Sequence, residues 1–410
     1  MKYIILLGDG MADYPLEALN GKTPLEYAST PNMDFIANKG TLGRIDTIPH
    51  GFTAGSDVAN LSVLGYDPRK YYTGRGPLEA INMGLKLNSE DVAFRCNLVT
   101  LRQNGEPIMH DFTAGHISSE EARLIINDLQ NQLGSNEFQF YAGVSYRHLL
   151  VWRNCPYDGI RTIPPHDITD RVITGYLPTG EGAQCLLKLM RQAKEVLSQH
   201  PVNKGRLEAL KKPANAIWLW GQGRALQLLT FSQKYGLKGG MISAVDLLNG
   251  IGICTGLEVI SVKGATGYIN TNYLGKAKKA LDSLNHLDFI FVHVEAPDEM
   301  GHEGNIAGKI QAIEDFDAKI AGVILREAYA MGPFRLMALC DHPTPIALKT
   351  HAADPSPFAV LSSVEGENLG SGVNFGEKSA RDTGILVSPG YVLMDLFIKN
   401  WRTFIEDKSH

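Results

Sequence analysis

The sequence predicts an α/β protein with a mostly parallel sheet, interrupted by an inserted α+β domain. Three observations carry that expectation. Apolar runs without polar alternation stand at residues 3–7, 289–292 and 334–339, the pattern of strands buried on both faces. From about residue 215 onward such runs alternate with helical segments, as βα units do. Between residues 85 and 211 the texture changes to mixed strands, helices and Pro-rich loops. The domains expected are therefore a discontinuous core of residues 1–84 and 212–410, and an insert of residues 85–211, with hinges near 80–86 and 211–216.

Each core element ends in a way that bears on chemistry. The run Tyr3 to Leu7 stops at Gly8-Asp9-Gly10, where glycines permit a tight turn and leave Asp9 at a strand end. A dinucleotide fingerprint fails there, because the third glycine of G-x-G-x-x-G would fall on Asp13. A helix is expected to start near Thr30. In Ala54-Gly55-Ser56-Asp57-Val58-Ala59-Asn60, small residues lead into a helical segment and put Ser56 at its N-terminus, as a simple cap or as a nucleophile. No G-x-S-x-G is present, so a metal rather than a histidine base is the expected activator if Ser56 attacks.

Residues 70–80, KYYTGRGPLEA, read as a glycine-broken loop carrying Arg75. In the insert, strands are expected at 92–101, 138–141 and 148–152 and helices at 119–133 and 183–198; Arg95, Asp111, Arg147 and His148 are its polar candidates. The core resumes at residues 215–220, and Arg224 follows, able to hold a carboxylate or phosphate through two parallel hydrogen bonds. Short elements then lead to Asp288–Glu303, DFIFVHVEAPDEMGHE. There an apolar strand delivers Asp298 and, four residues on, His302, which one helical face would align. A helix over 310–328 and a strand over 334–339 end at Asp341-His342, with His351 shortly after. Three strand-end aspartates with three histidines suit divalent ions of borderline hardness.

Composition narrows the partners. The chain has 410 residues, 44% hydrophobic and 20% charged, with a formal net charge of −5. No basic stripe for nucleic acid or anionic lipid is evident, so a small molecule is the expected ligand. Five scattered cysteines without a C-x-x-C pair point to a reducing compartment and against a disulfide frame. No secretory h-region and no run of membrane-spanning length is read, and the expected location is cytoplasmic.

Taken together, Asp9, Ser56, Asp298, His302, Asp341, His342 and His351 resemble in order and kind the metal and nucleophile set of the alkaline phosphatase superfamily. More closely, GDGMAD, YYTGRGPLEA, AGHISSEEA, SYRHLL, WGQGR, AVDLLNGIG, HVEAPDEMGHEG and DHPTPIALKTHAADP are similar to the archaeal-type 2,3-bisphosphoglycerate-independent phosphoglycerate mutases, over nearly the whole chain. The resemblance implies an alkaline-phosphatase-like three-layer core, an inserted domain covering the substrate, two divalent ions (Mn, Mg, Zn or Co) and a phosphoserine intermediate on Ser56. It assigns Asp9, Ser56, Asp341 and His342 to one ion, and Asp298, His302 and His351 to the other. It implies a small phosphorylated substrate, no nucleic acid or membrane partner, and no particular oligomeric state. Arg75, Arg95, Asp111, Arg147, His148 and Arg224 form the expected substrate shell, although the position three residues before Arg224 is Gly221 where the longer mutases carry a second arginine. A homoserine kinase-like phosphotransferase or a metal-dependent phosphomonoester hydrolase on the same core is the alternative, and a catalytically inactive metal-binding protein the third.

Overall fold

The computed structural model describes residues 1–103 and 105–408 and divides into two compact units, Met1–Tyr72 with Leu228–His410, and Thr73–Gln227. The boundaries expected at 85 and 211 fall inside the second unit, which also takes in the segments on either side.

The first unit is built on an eight-stranded sheet. Its order is Leu386–Val387, Thr41–Ile45, Ser356–Ser362, Phe334–Leu339, Lys2–Gly8, Phe289–Val294, Gly239–Ile242 and Glu258–Val259. Only Ser356–Ser362 runs antiparallel to its neighbours. The three apolar runs singled out in the sequence are adjacent: Lys2–Gly8 lies between Phe334–Leu339 and Phe289–Val294, parallel to both. Every residue of the two flanking strands is buried, as apolar runs covered by helices on both faces require. Registration matters more than burial here. Leu7 pairs with both His293 and Leu339, so the three strands finish level, and the segments that follow them start from one edge of the sheet.

A buried ion pair holds two of those segments together. Lys309, on the helix Ile306–Phe316, is fully buried, and its ammonium donates to Asp13 Oδ2 at 2.7 Å and to the carbonyls of Thr344 at 2.8 Å and Ala12 at 3.2 Å. Asp13 in turn accepts from the Ile346 and Tyr14 amides. All three ammonium protons are thereby used, as a buried charge demands. The loop after Lys2–Gly8 is fastened in this way to the loop after Phe334–Leu339.

The long helix expected over 310–328 is divided. Ile306–Phe316 passes through a π-helical turn, Asp317–Ala321, into Gly322–Ala328. At that turn the Asp317 carboxylate accepts from the Asn32 side chain and from the Met33 amide, both at 2.7 Å. The helix Phe231–Tyr235 is opened by a capping box of Thr230 and Gln233.

The second unit has Val92–Gln103 at its centre, antiparallel to Arg147–Trp152, Ala216–Arg224 and Pro107–Asp111, with Phe138–Val144 beyond Arg147–Trp152. Ser119–Leu133, opened by a Ser118–Glu121 capping box, and Ala183–Gln199 pack on one face. The segment read as a loop around Arg75 is instead a helix, Arg75–Asn82. The two glycines of Gly74-Arg75-Gly76 explain the difference. A Cβ on either would collide with a strand carbonyl, that of Gln222 for Gly74 and that of Ala93 for Gly76, so the glycines let the helix start directly against the sheet. No helix among the described residues is long and apolar enough to cross a membrane, and all five cysteines are free.

Lys309→Met should strand the Asp13 carboxylate in the interior and lower stability by about 3–5 kcal/mol. The double variant Lys309→Met/Asp13→Asn, which buries no unpaired charge, should recover most of that loss in urea unfolding. A double variant as unstable as the single one would show that the loops do not rely on this pair.

Candidate active site and metal centre

Beyond the level strand ends of the first unit, seven sequence-predicted residues converge. Ser56 opens the helix Ser56–Val63, and its hydroxyl lies 3.1 Å from His342 Nε2 and 3.4 Å from Asp9 Oδ1. His342 Nε2 also faces Asp9 Oδ1 at 3.4 Å and Asp341 Oδ2 at 3.6 Å. Asp298 and His302 sit one turn apart on Ala296–Glu303, with His302 Nε2 at 3.2 Å from Asp298 Oδ2. His351 Nε2 is 3.6 Å from Asp298 Oδ1 and 3.0 Å from His302 Nε2. Asp9, Asp341 and His342 are wholly buried.

Neighbouring backbone groups aim these donors. His302 Nδ1 lies 3.1 Å from the Lys349 carbonyl and His342 Nδ1 3.3 Å from the Pro343 carbonyl. A carbonyl only accepts, so each Nδ1 is placed to donate to it, which leaves each Nε2 facing the carboxylates as the nitrogen that could ligate a metal once it gives up its proton. Asp341 Oδ1 accepts from the Gly10 and His342 amides, and Oδ2 accepts from Asn60 Nδ2 at 2.9 Å, which also reaches the Ser56 carbonyl. The Thr344 hydroxyl holds Asp298 Oδ1. Gly10 has φ +60, and a Cβ there would lie 2.6 Å from both Asp298 Oδ1 and Thr344 Oγ1, so only glycine lets the first loop pass this close.

Two residues missed in the sequence complete the centre. His293, buried in the strand, holds Asp9 Oδ2 at 2.8 Å through Nε2 and meets Ser243 Oγ at 3.1 Å through Nδ1. Glu295 brings Oε2 to 3.4 Å from the same His293 Nε2, and that buried oxygen has no hydrogen bond among the described residues. The signal was present: His293 is the one polar residue inside an otherwise apolar strand.

The electrostatics follow from packing acids together out of water. Burial, then Asp341 and Glu295, push the Asp9 carboxyl well above its usual range. Burial raises Asp341 as well, and burial with Asp298 raises Glu295 strongly. Burial would also raise Asp298 and lower His302, but their mutual attraction overrides it, holding Asp298 well below the carboxylate range and His302 at about 9.

The substrate candidates all lie in the second unit, and they separate. Arg95 and Arg147 are on one face of the sheet, since Arg95 pairs with Leu149 and Asn97 with Arg147. Arg95 is buried against Glu79, Nε to Oε1 at 3.2 Å, and lies 4.5 Å from the centre of the Trp220 ring. The charges of Arg75 and Arg147 are near enough to disfavour its protonated form, after burial itself. Gly221 stands where an added Cβ would touch both Arg75 and Arg95, at 3.5 and 3.6 Å, so its lack of a side chain leaves room for this cluster. His148 is elsewhere: adjacent strand residues point to opposite faces, and its ring is buried on the other side, where desolvation pushes its pKa down to about 3. Asp111 is engaged by Lys212 at 2.7 Å and by the Thr113 turn, and Arg224 by Asp158 at 2.7 Å and the Cys155 carbonyl.

The model of the 2,3-bisphosphoglycerate-independent phosphoglycerate mutase family matches residues 37–203. A protein of Geobacter sulfurreducens named as a probable mutase of this kind is 52% identical, covering 97% of this chain and 100% of the relative. A mutase of the same name from Methanosarcina barkeri is 51% identical with the same coverage. The chain belongs to the 2,3-bisphosphoglycerate-independent phosphoglycerate mutase family. Among solved structures, a Pyrococcus horikoshii protein is similar at TM-score 0.80 and 30% identity, covering 100% of this chain and 98% of that one. The cofactor-independent phosphoglycerate mutase of Thermoplasma acidophilum reaches TM-score 0.64 at 27% identity, covering 97% and 99%.

The mutase-family centre fits divalent cations on its own chemistry. Three groups of donor atoms lie within 4.8 Å of one another: Asp9, Asp341 and His342; Asp298, His342 and His351; and Asp9, His293 and Glu295. Buried carboxyls raised by their neighbours, as at Asp9, Glu295 and Asp341, together with imidazole nitrogens facing them, are groups whose protons a cation would displace.

Asn60→Ala would leave Asp341 Oδ2 without its donor and remove the second, side-chain donor to the Ser56 carbonyl. We expect a loss of about 1–3 kcal/mol in thermal unfolding in EDTA and a roughly ten- to hundredfold weaker Mn2+ titration. An unchanged Mn2+ affinity would remove Asn60 from the support of the centre.

Proposed function

We propose that the chain interconverts 3-phosphoglycerate and 2-phosphoglycerate without a bisphosphoglycerate cofactor, through a phosphoserine on Ser56. The observation that carries this reading is the Ser56 hydroxyl at a helix N-terminus between Asp9 and His342, in a chain about half identical to named mutases. In the first half-reaction the Ser56 Oγ–P bond forms as the P–O bond to one glycerate oxygen breaks. In the second, the phosphoryl group passes to the neighbouring glycerate oxygen and Ser56 is restored. The proton given up by Ser56 matches the one the glycerate oxygen takes, so nothing is consumed.

Two ions are proposed, one held by Asp9, Ser56, Asp341 and His342, the other by Asp298, His302 and His351. Mixed carboxylate and imidazole donors favour Mn, Zn or Co over Mg. When bound, such ions lower the pKa of a serine hydroxyl and neutralise a transferring phosphoryl group. The chain's own residues do the rest. The Ser56 helix directs its N-terminal amides toward negative charge, while Asn60 and the Gly10 amide fix Asp341 and Thr344 fixes Asp298.

Arg75, Arg95 and Arg147 are the proposed holders of the substrate carboxylate and phosphate. Their shared face and mutual charge support this, and a triad of guanidiniums on one surface is a natural anion clamp. His148, Asp111 and Arg224 have partners of their own and serve that unit's packing.

Ser56→Ala should lower interconversion at least about a thousandfold while changing stability by no more than about 1–2 kcal/mol. Turnover at a comparable rate would refute the covalent route. The unsubstituted protein should release little phosphate from phosphomonoesters and should not phosphorylate homoserine with ATP; strong activity in either assay would move the reading to hydrolase or kinase.

Arg147→Ala should raise the KM for phosphoglycerate and increase the share of turnovers that release free phosphate. Isomer formation and phosphate release measured together test this, and unchanged values for both would take Arg147 out of the substrate shell.

A further inference from the structure

The second unit contains a cavity that the proposed reaction does not use. It has a volume of about 310 Å³ and lies where the helix Ala183–Gln199 passes the strand Ala216–Arg224. Its apolar lining includes Ile173, Leu187, Met190 and Trp218. The pocket is open on one side, and an enclosed apolar cavity of about 150 Å³ already takes benzene. This one has room for a body about twice that size.

The cavity also carries charge. Arg191 and Lys194 line it, following Leu187 on the same helix at the spacing that keeps side chains on one face. Arg191 is exposed and so marks the open side. Neither cation forms an ion pair or a side-chain hydrogen bond among the described residues, whereas Arg95, Arg224 and Lys212 are engaged by Glu79, Asp158 and Asp111. An apolar chamber with two unengaged cations along one wall matches a ligand with an apolar body and an anionic head.

We propose that this cavity is a binding site for a small amphipathic carboxylate, separate from the arginine cluster. The apolar body fills the chamber against Trp218 and Met190, and the carboxylate meets Arg191 and Lys194. A phosphoglycerate is a poor occupant, since it offers no apolar surface for these walls.

The full chain can be titrated calorimetrically with 3-phenylpropionate and with its uncharged match, 3-phenylpropanamide. One carboxylate should bind per chain, at least tenfold more tightly than the amide. Arg191→Gln/Lys194→Gln, two changes on the outer face of a helix, should bring the carboxylate down to the level of the amide, and Leu187→Trp should abolish both by filling the chamber. 3-Phosphoglycerate should not displace the bound carboxylate. No binding, equal binding of carboxylate and amide, unchanged binding by the double variant, or displacement by 3-phosphoglycerate would each overturn the assignment.

Discussion

The metal centre depends on one unfavourable arrangement: four acids, Asp9, Glu295, Asp298 and Asp341, drawn to a single sheet edge out of water. Two like charges about 4 Å apart at an effective dielectric near 20 repel by about 4 kcal/mol, against a net stability on the order of 5–15 kcal/mol for a whole domain. The repulsion has to be offset locally. Protonation offsets part of it, which is why burial and neighbours raise Asp9, Glu295 and Asp341. Hydrogen bonds from Gly10, Asn60, Thr344 and His293 offset more. Cations would offset the remainder, and the fold supplies donors oriented for them.

The sheet makes that arrangement reproducible. Since Lys2–Gly8 is paired in parallel with both neighbours, any slip of a strand would carry a whole ligand segment by one residue and turn its side chains to the wrong face. The Lys309–Asp13 pair adds a second fastening on the far side of the same loops, and it uses no residue of the centre itself. Positioning is therefore shared among backbone registration, one buried charge pair and the hydrogen bonds that tie the ligands to neighbouring segments.

Much of this was legible because it follows from pattern. Strands buried on both faces announce themselves as apolar runs, and Asp9, Asp298 and Asp341 stand where such runs stop. The helix Ser119–Leu133 falls on its expected residues, marked by a capping box and a regular apolar face. What escaped depended on partners distant in sequence. His293 inside an apolar run reads as a core residue until Asp9 is known to lie beside it. Asp111 and Arg224 look like ligand groups until Lys212 and Asp158 claim them. The Arg75 helix was hidden because its glycines, read as loop formers, serve close contact with strand carbonyls. One miss was avoidable: Arg147 and His148 are consecutive on a strand, and alternation alone puts them on opposite faces.

This contrast bears on where specificity resides. A centre assembled from strand ends is fixed by registration, so the chemistry proposed for it can be read from spacing. The arginine cluster is assembled differently. Arg75 comes from a helix start and Arg95 and Arg147 from two paired strands, with Gly221 beside them contributing only space. A substitution at Gly221 that restores a large side chain would crowd Arg75 and Arg95 without touching any residue of the centre. The proposed phosphoryl chemistry and the proposed substrate contacts thus rest on separate parts of the chain, one set by strand registration and the other by side chains gathered from a helix start and two paired strands.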